Sequence, residues 1–196
     1  MGNGSKHGPE YRKYSRAANQ NQKVGFEMAD QENSARQALA QYESIANYIA
    51  AWDFADAHQG DDLTDADVIA EMDEYDQEEL TRLLAETDFS AEDLSDPDVI
   101  RERIEEDPLS IEVRGDWHTP GDEDGCTPTE YKILLCTGGP ACQIIGDLDQ
   151  YGQPESARLM HQDWFTPWQE QIQGVSQSTL ERYASFFYFG DGDSRR

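Results

Sequence analysis

The chain has 196 residues and a mass of 22.2 kDa, and 37% of its residues are hydrophobic, which is enough for one domain of ordinary size with polar extensions. Its 41 Asp and Glu residues against 15 Lys and Arg residues give a formal charge of −26. Such a charge repels phosphate groups over most of the surface, so the composition argues against direct binding of nucleic acid or of an anionic membrane.

The cysteine content and the N-terminus indicate the compartment. Cys126, Cys136 and Cys142 are too few for a disulfide framework, and none belongs to a C-x-x-C pair of the kind that binds zinc. The N-terminus lacks the apolar stretch of a signal peptide, and no window approaches the ~18 apolar residues of a membrane span. We therefore expect a cytoplasmic protein with no membrane partner.

Charge divides the chain into segments. Residues 1–30 carry a net charge of +2 and show no apolar period, so we expect a flexible polar arm there. Residues 31–107 carry −20 and residues 108–196 carry −8. We expect an acidic helical region over 31–107, an antiparallel sheet with a C-terminal helix over 108–190, and a polar tail over 191–196.

Helical periodicity dominates the acidic region. Apolar residues recur at steps of three and four from Glu32 to Ala57, which predicts an amphipathic helix. Similar spacing predicts shorter helices over Asp65–Tyr75 and Gln77–Glu86. Asp96 followed by Pro97 is typical of a helix start, and Pro108 ends that fourth helix.

After Pro108 the apolar period changes to two, which is typical of half-buried strands. Strands are predicted around 111–113, 131–136, 141–148 and 157–165, with a hairpin turn over 137–140 that contains Gly138 and Gly139. Ser178 and Glu181 form a capping box for a last helix over 179–187. The predicted fold class is α+β: N-terminal acidic helices, a small antiparallel sheet of three to four strands, and a C-terminal helix.

Two constellations resemble sites of chemistry. The Asp-rich turn from Asp147 fits a calcium loop at Asp149 and Gly152, but Arg158 stands where the bidentate twelfth ligand is required, and the acidic turns at 122–125 and 191–193 fit no better. His118 or His161 could approach Cys136 across the sheet as a base, yet both strand cysteines occupy apolar positions. We expect no metal site, no cofactor and no catalytic residue.

The acidic segment is the unusual feature. Between Asp53 and Asp107 there are 22 acidic residues and three arginines. From Asp65 to Glu79 eight acids occupy fifteen positions, which span ~22 Å at the rise of a helix, a linear density close to the one phosphate per ~3.4 Å of a DNA strand. We therefore predict that the partner, a basic nucleic-acid-binding protein or complex, binds these eight: Asp65, Asp67, Glu71, Asp73, Glu74, Asp76, Glu78 and Glu79. Joint neutralisation of Asp73, Glu74, Glu78 and Glu79 is expected to abolish binding and to leave the fold intact.

Charge and size resemble those of phage and plasmid proteins that imitate DNA, namely antirestriction proteins and a subset of anti-CRISPR inhibitors. The stretch 133–141, continued through 151–154 to Trp164, is similar to uncharacterised small proteins of bacterial mobile elements. The resemblance implies a non-enzymatic inhibitor, in the cytoplasm of a bacterial host, of a CRISPR effector or restriction enzyme.

Other interpretations stay open. The acids could be a solvated helix face, an adaptation to high salt in a chain with 4 Lys and 11 Arg, or a disordered tract. Alternatively, the protein is an antitoxin, chaperone or regulatory subunit that docks through C-terminal aromatic residues, for which we predict Trp164, Trp168 and Phe187. The aromatic residues could instead form the core between the last helix and the sheet.

Overall fold

The computed structural model describes residues 10–117, 119–120 and 127–190, with side chains described from Glu32 onward. His118, Cys126, the acidic turns at 122–125 and 191–193 and the tail over 191–196 lie outside the described residues. Among the described residues, helix α1 spans Glu10–Ala57, α2 Ala66–Glu71, α3 Glu74–Glu86 and α4 Pro97–Glu106, with a 3₁₀ turn over Asp93–Ser95.

The first helix is longer than predicted. It ends at Ala57 as expected, but its backbone is already helical at Glu10, within the segment for which we expected an arm without regular structure. The prediction of an arm depended on the absence of regularly spaced apolar residues. Residues 10–30 are rich in Ala, Gln, Lys, Arg and Glu, whose intrinsic helix propensity needs no apolar face.

In the described part of the chain, five strands form one antiparallel meander in the order β1-β2-β3-β4-β5. The strands are β1 Ser110–Gly115, β2 Pro128–Cys136, β3 Ala141–Asp147, β4 Arg158–Gln162 and β5 Gln169–Glu170. The α+β class is confirmed, with five strands instead of three to four. The two-residue β5 was missed because it is too short to show a period. Gly138, with φ of 124°, lies in the β2–β3 hairpin as predicted.

The last helix, α5, spans Gln177–Ala184. Its N-cap is Ser176, whose Oγ accepts the backbone N–H of Thr179 at 3.4 Å. The predicted capping box of Ser178 and Glu181 was therefore wrong. Ser178 lies inside the helix, and Glu181 accepts a hydrogen bond from the Gln177 side-chain amide. Ser176 and Ser178 are both residues of the type that caps a helix N-terminus, so the sequence alone did not distinguish them.

One core joins the helices and the sheet. The buried face of α1 includes Ala38, Ile45 and Phe54, and it packs against α3, α4, α5 and the inner face of β3 and β4. A buried hydrogen bond of 2.9 Å connects Ser34 Oγ on α1 with His161 Nδ1 on β4. Helices α3 and α4 thus pack on the same core as the sheet.

The end of α4 is tied to α5 by a second buried polar contact. Tyr183, which has no exposed surface, donates its hydroxyl to Asp107 Oδ2 at 2.6 Å. Burial raises the pKa of the Asp107 carboxyl above its ordinary value, although the Tyr183 hydroxyl opposes the shift. The native protein therefore binds a proton at Asp107 more readily than the unfolded chain does.

This shift predicts a pH-dependent effect of Asp107→Asn. Because the native pKa is raised, the favourable contribution of Asp107 is present at acid pH and is lost as pH rises through the native pKa. The asparagine keeps an acceptor for Tyr183 and carries no charge, so its stability relative to wild type should increase from acid to neutral pH, as measured by urea unfolding. Asp107→Ala, which leaves the Tyr183 hydroxyl without this acceptor, should instead be destabilised by about 1–3 kcal/mol.

Candidate functional site

The predicted acidic site does not lie on one helix. Helix α2 ends at Glu71, and Met72 and Asp73 both adopt extended backbone conformations before α3 begins. The helix predicted over Asp65–Tyr75 is present but ends four residues earlier, at Glu71, and the predicted continuous ridge of eight acids was wrong. The reason is local: Asp73 is itself a helix N-cap, and a cap side chain competes with continuation of the preceding helix.

Half of the eight acids serve the fold. Asp65 accepts the backbone N–H of Asp67 at 2.8 Å, and Asp73 accepts that of Asp76 at 2.9 Å, so these two carboxylates cap α2 and α3. Asp76 lies 3.5 Å from His58 Nε2 at the end of α1. Glu79, discussed next, is held by an arginine. The joint neutralisation of Asp73, Glu74, Glu78 and Glu79 would thus remove a cap and an ion pair together with open charges.

Arg82 anchors α3. Its guanidinium donates two hydrogen bonds to Glu79, at 2.9 and 2.7 Å, and further bonds to Glu86 at 2.7 Å and to Asn47 on α1 at 2.8 Å. The hydrogen bond from Arg82 holds the pKa of Glu79 below its usual range. Arg82 fixes the helix that presents the neighbouring acids.

The other four acids are open. Asp67 and Glu71 on α2, and Glu74 and Glu78 on α3, are exposed and make no side-chain hydrogen bond or ion pair with any residue that the structure describes. Residues four apart lie on the same side of a helix, so each helix presents one pair of carboxylates. We call these four residues the open pairs.

A third helix adds acids that the sequence analysis did not single out. Asp98, Glu102 and Glu106 are exposed on α4, opposite the buried Ile100 and Ile104. They also recur every four residues, and they form no ion pair within the described ranges. This spacing was visible in the sequence, but the acids are denser over residues 65–79, and the prediction was restricted to that segment.

Every arginine between Asp53 and Asp107 is paired with an acid. Arg82 binds Glu79 and Glu86, Arg101 binds Glu105 at 2.9 Å, and Arg103 lies 3.6 Å from Asp88. Along one helix the open carboxylates stand ~6 Å apart, roughly half the density of phosphates along a DNA strand. One helix therefore does not match a strand, and α2, α3 and α4 together must supply the charge.

The predicted aromatic docking residues are separated by the fold. Trp164 and Trp168 are exposed, but Phe187 is buried and packs edge-on against Tyr183 with ring centroids 5.2 Å apart. Phe187 is thus a core residue, unavailable for docking. Phe165, which we did not select, is fully exposed and has a φ of 63°, a backbone conformation that disfavours a side chain.

The exposed Trp164 lies over the hairpin turn. A Cβ added to Gly139 would lie 2.2 Å from Trp164 Nε1, and the three heavy atoms nearest to it would all belong to the indole. Gly139→Ala should therefore move the indole at little cost, because an exposed ring can turn away. We expect a change in tryptophan fluorescence with unfolding free energy within about 1 kcal/mol of wild type. A large loss of stability would show that the indole is held in place.

The sheet holds Cys136, Cys142 and the buried His161. His161 lies opposite Cys142 in the β3–β4 register and binds Ser34. Burial raises the pKa of Cys142 to about 12, so that thiol is protonated at neutral pH. Asp149 accepts the backbone N–H groups of Tyr151 and Gln153, both at 2.8 Å, so it shapes a turn. The described residues contain no group of three His, Cys, Asp or Glu side chains arranged to hold a metal.

Comparisons of the chain with protein-family models, curated proteins and solved structures find no match. Within the described residues, no helix is both long enough and apolar enough to cross a bilayer. A functional proposal therefore depends on the geometry and charge of the chain itself.

Proposed function

We propose that the protein is a non-enzymatic inhibitor of a bacterial nucleic-acid-targeting defence complex, a CRISPR effector or a restriction enzyme. It acts as a DNA mimic that occupies the basic nucleic-acid-binding surface of its target. The observation that carries the proposal is the set of exposed acids without ion-pair partners on α2, α3 and α4, within a described segment whose arginines are all paired.

The fixed positions of acidic side chains favour this proposal over the alternative that the acids only form a solvated helix face. Caps at Asp65 and Asp73 fix the starts of α2 and α3, and the Arg82 contacts fix α3 to α1. The carboxylates of α3 are therefore held in place relative to α1 without a partner. A fixed array of like charge costs self-repulsion in the free protein, and a surface rich in Lys and Arg relieves that repulsion on binding.

A competition experiment tests the proposal. Fluorescently labelled duplex DNA is bound to purified guide-loaded CRISPR effectors and to purified restriction enzymes, and the protein is titrated in. We expect DNA to be displaced from at least one member of the panel, with a potency that falls as salt rises, because exposed charges are screened beyond ~8 Å at physiological ionic strength. If the protein displaces DNA from no member of the panel even at low salt, the proposal is contradicted.

Phe165 supports a second candidate function. A fully exposed phenylalanine in the left-handed region, beside the exposed Trp164, is unfavourable both for the backbone and for hydration unless a partner covers it. This favours an antitoxin, chaperone or regulatory subunit that docks through Trp164, Phe165 and Trp168. Such an apolar interface should persist at high salt, whereas the DNA mimic should dissociate.

A further inference from the structure

The first strand of the sheet exposes an unusual edge. Among the described strands β1 pairs only with β2, so one of its two sides has no strand beside it. Ile111 and Val113 lie on the side of the sheet that faces the helices, yet they are 38% and 48% exposed. Leu109 and Trp117, which lie just before and just after β1, are exposed as well. A flat apolar edge strand readily accepts another strand.

Charges on the opposite side of β1 indicate which strand it accepts. Glu112 Oε2 lies 2.8 Å from Lys132 Nζ, and Arg114 forms an ion pair with Glu130. These four groups sum to zero charge in a chain of −26. The edge is therefore a place where two copies of this chain can meet with little mutual repulsion.

The sequence of β1 is complementary to itself. In an antiparallel pairing centred on Val113, Glu112 lies opposite Arg114 of the second copy, and Arg114 lies opposite Glu112 of that copy. The charged side chains that face one another across the four central strands then alternate in sign. They are Lys132 and Glu112 of the first copy, followed by Arg114 and Glu130 of the second. On the other side, the two Val113 side chains meet each other, and Ile111 lies opposite Gly115 of the second copy. Opposite charges and apolar pairs facing each other across strands are stabilising.

Neighbouring registers lack this match. A pairing centred on Glu112 places the two Glu112 carboxylates opposite each other, and a pairing centred on Arg114 does the same with two guanidinium groups. Like charges directly opposite are destabilising. We propose that the protein forms a two-fold symmetric homodimer through antiparallel pairing of β1 with β1 of a second copy, centred on Val113, which joins the two sheets into one. This proposal is independent of the DNA-mimic function.

The register gives a sharp test by charge exchange. In a homodimer of the Glu112→Arg variant, the new guanidinium would face Arg114 of the other copy. In a homodimer of the Arg114→Glu variant, the new carboxylate would face Glu112. Each single variant should self-associate at least about tenfold more weakly than wild type, because facing like charges repel. An equimolar mixture of the two variants allows a dimer of unlike chains to form.

In the mixed dimer one chain carries two guanidinium groups at positions 112 and 114, and the other carries two carboxylates. Each guanidinium of the first chain therefore faces a carboxylate of the second, so opposite charges meet at both positions. The mixture should form a heterodimer at concentrations where neither variant dimerises alone.

Sedimentation velocity and light scattering at physiological ionic strength measure the masses. We expect wild type at about twice the 22.2 kDa chain mass, both single variants at the chain mass, and the mixture at twice that mass again. Glu170→Arg on the opposite edge strand is the matched control and should remain dimeric, and circular dichroism checks that each variant is folded. A monomeric wild type, a dimer indifferent to both single changes, or a mixture that stays monomeric would overturn the proposal.

Discussion

A variant that carries Glu71→Gln, Glu74→Gln and Glu78→Gln should lose most of its capacity to displace DNA from the inhibited complex. The three side chains belong to the open pairs, so the change removes charge from α2 and α3 without removing a cap or an ion pair. We expect the half-inhibitory concentration to rise about tenfold or more, mainly through slower association, since electrostatic steering contributes factors of 10 to 10³ to on-rates. Stopped-flow competition against labelled duplex DNA measures the effect.

The matched control removes the same number of charges elsewhere. Glu155 lies between β3 and β4, Glu170 in β5 and Glu181 in α5. Their joint change to glutamine reduces the net negative charge by the same amount. Inhibition by this control should stay within about twofold of wild type if position matters rather than total charge, because screening limits the reach of exposed charges. Equal losses in both variants would show a nonspecific charge effect, and unchanged inhibition by the first variant would contradict the proposed role of α2 and α3.

Gly146→Ala should cause the largest loss of stability among the single changes considered. A Cβ at Gly146 would lie 1.9 Å from the carbonyl oxygen of Ser156 and 2.7 Å from the Tyr131 hydroxyl. These two groups are hydrogen-bonded to each other at 2.8 Å directly over the glycine, and Tyr131 is buried. Since backbone and a buried ring must both shift, we expect destabilisation of about 1–3 kcal/mol or more, measured by urea unfolding.

Gly139→Ala serves as the comparison for Gly146→Ala. Both add one methyl group at a glycine beside an aromatic ring, but Trp164 is exposed and Tyr131 is buried. A large difference in unfolding free energy between the two variants is therefore expected. Similar small effects would mean that the Tyr131–Ser156 contact opens easily.

The sequence allowed the fold class to be predicted because the period of apolar residues differs between its halves. The helix end at Ala57, the start of α4 at Pro97 and the hairpin at Gly138 follow from spacing and from residues with special backbone preferences. The break between α2 and α3 was predicted at Asp76 instead of at Met72 and Asp73, because an aspartate can be either a surface acid or a cap and only the backbone decides between them.

The candidate site was less predictable for the same reason. Composition located the acidic segment, but the roles of its carboxylates depend on distant partners such as His58 for Asp76. Phe187 was proposed as a docking residue because aromatic clusters occur in both interfaces and cores. Its burial against Tyr183 is a tertiary fact, and the exposed Phe165 stands out only through its φ.

Helix α1 has a consequence for synthesis of the protein. It is synthesised before β4 and α5, which help to bury it, and the Ser34–His161 bond joins residues 127 positions apart. The nascent chain therefore lacks a large part of its core until α5 has left the ribosome, and contacts so distant in sequence form slowly. Ribosome-bound intermediates should be sensitive to protease, and removal of α5 should unfold the acidic helices as well.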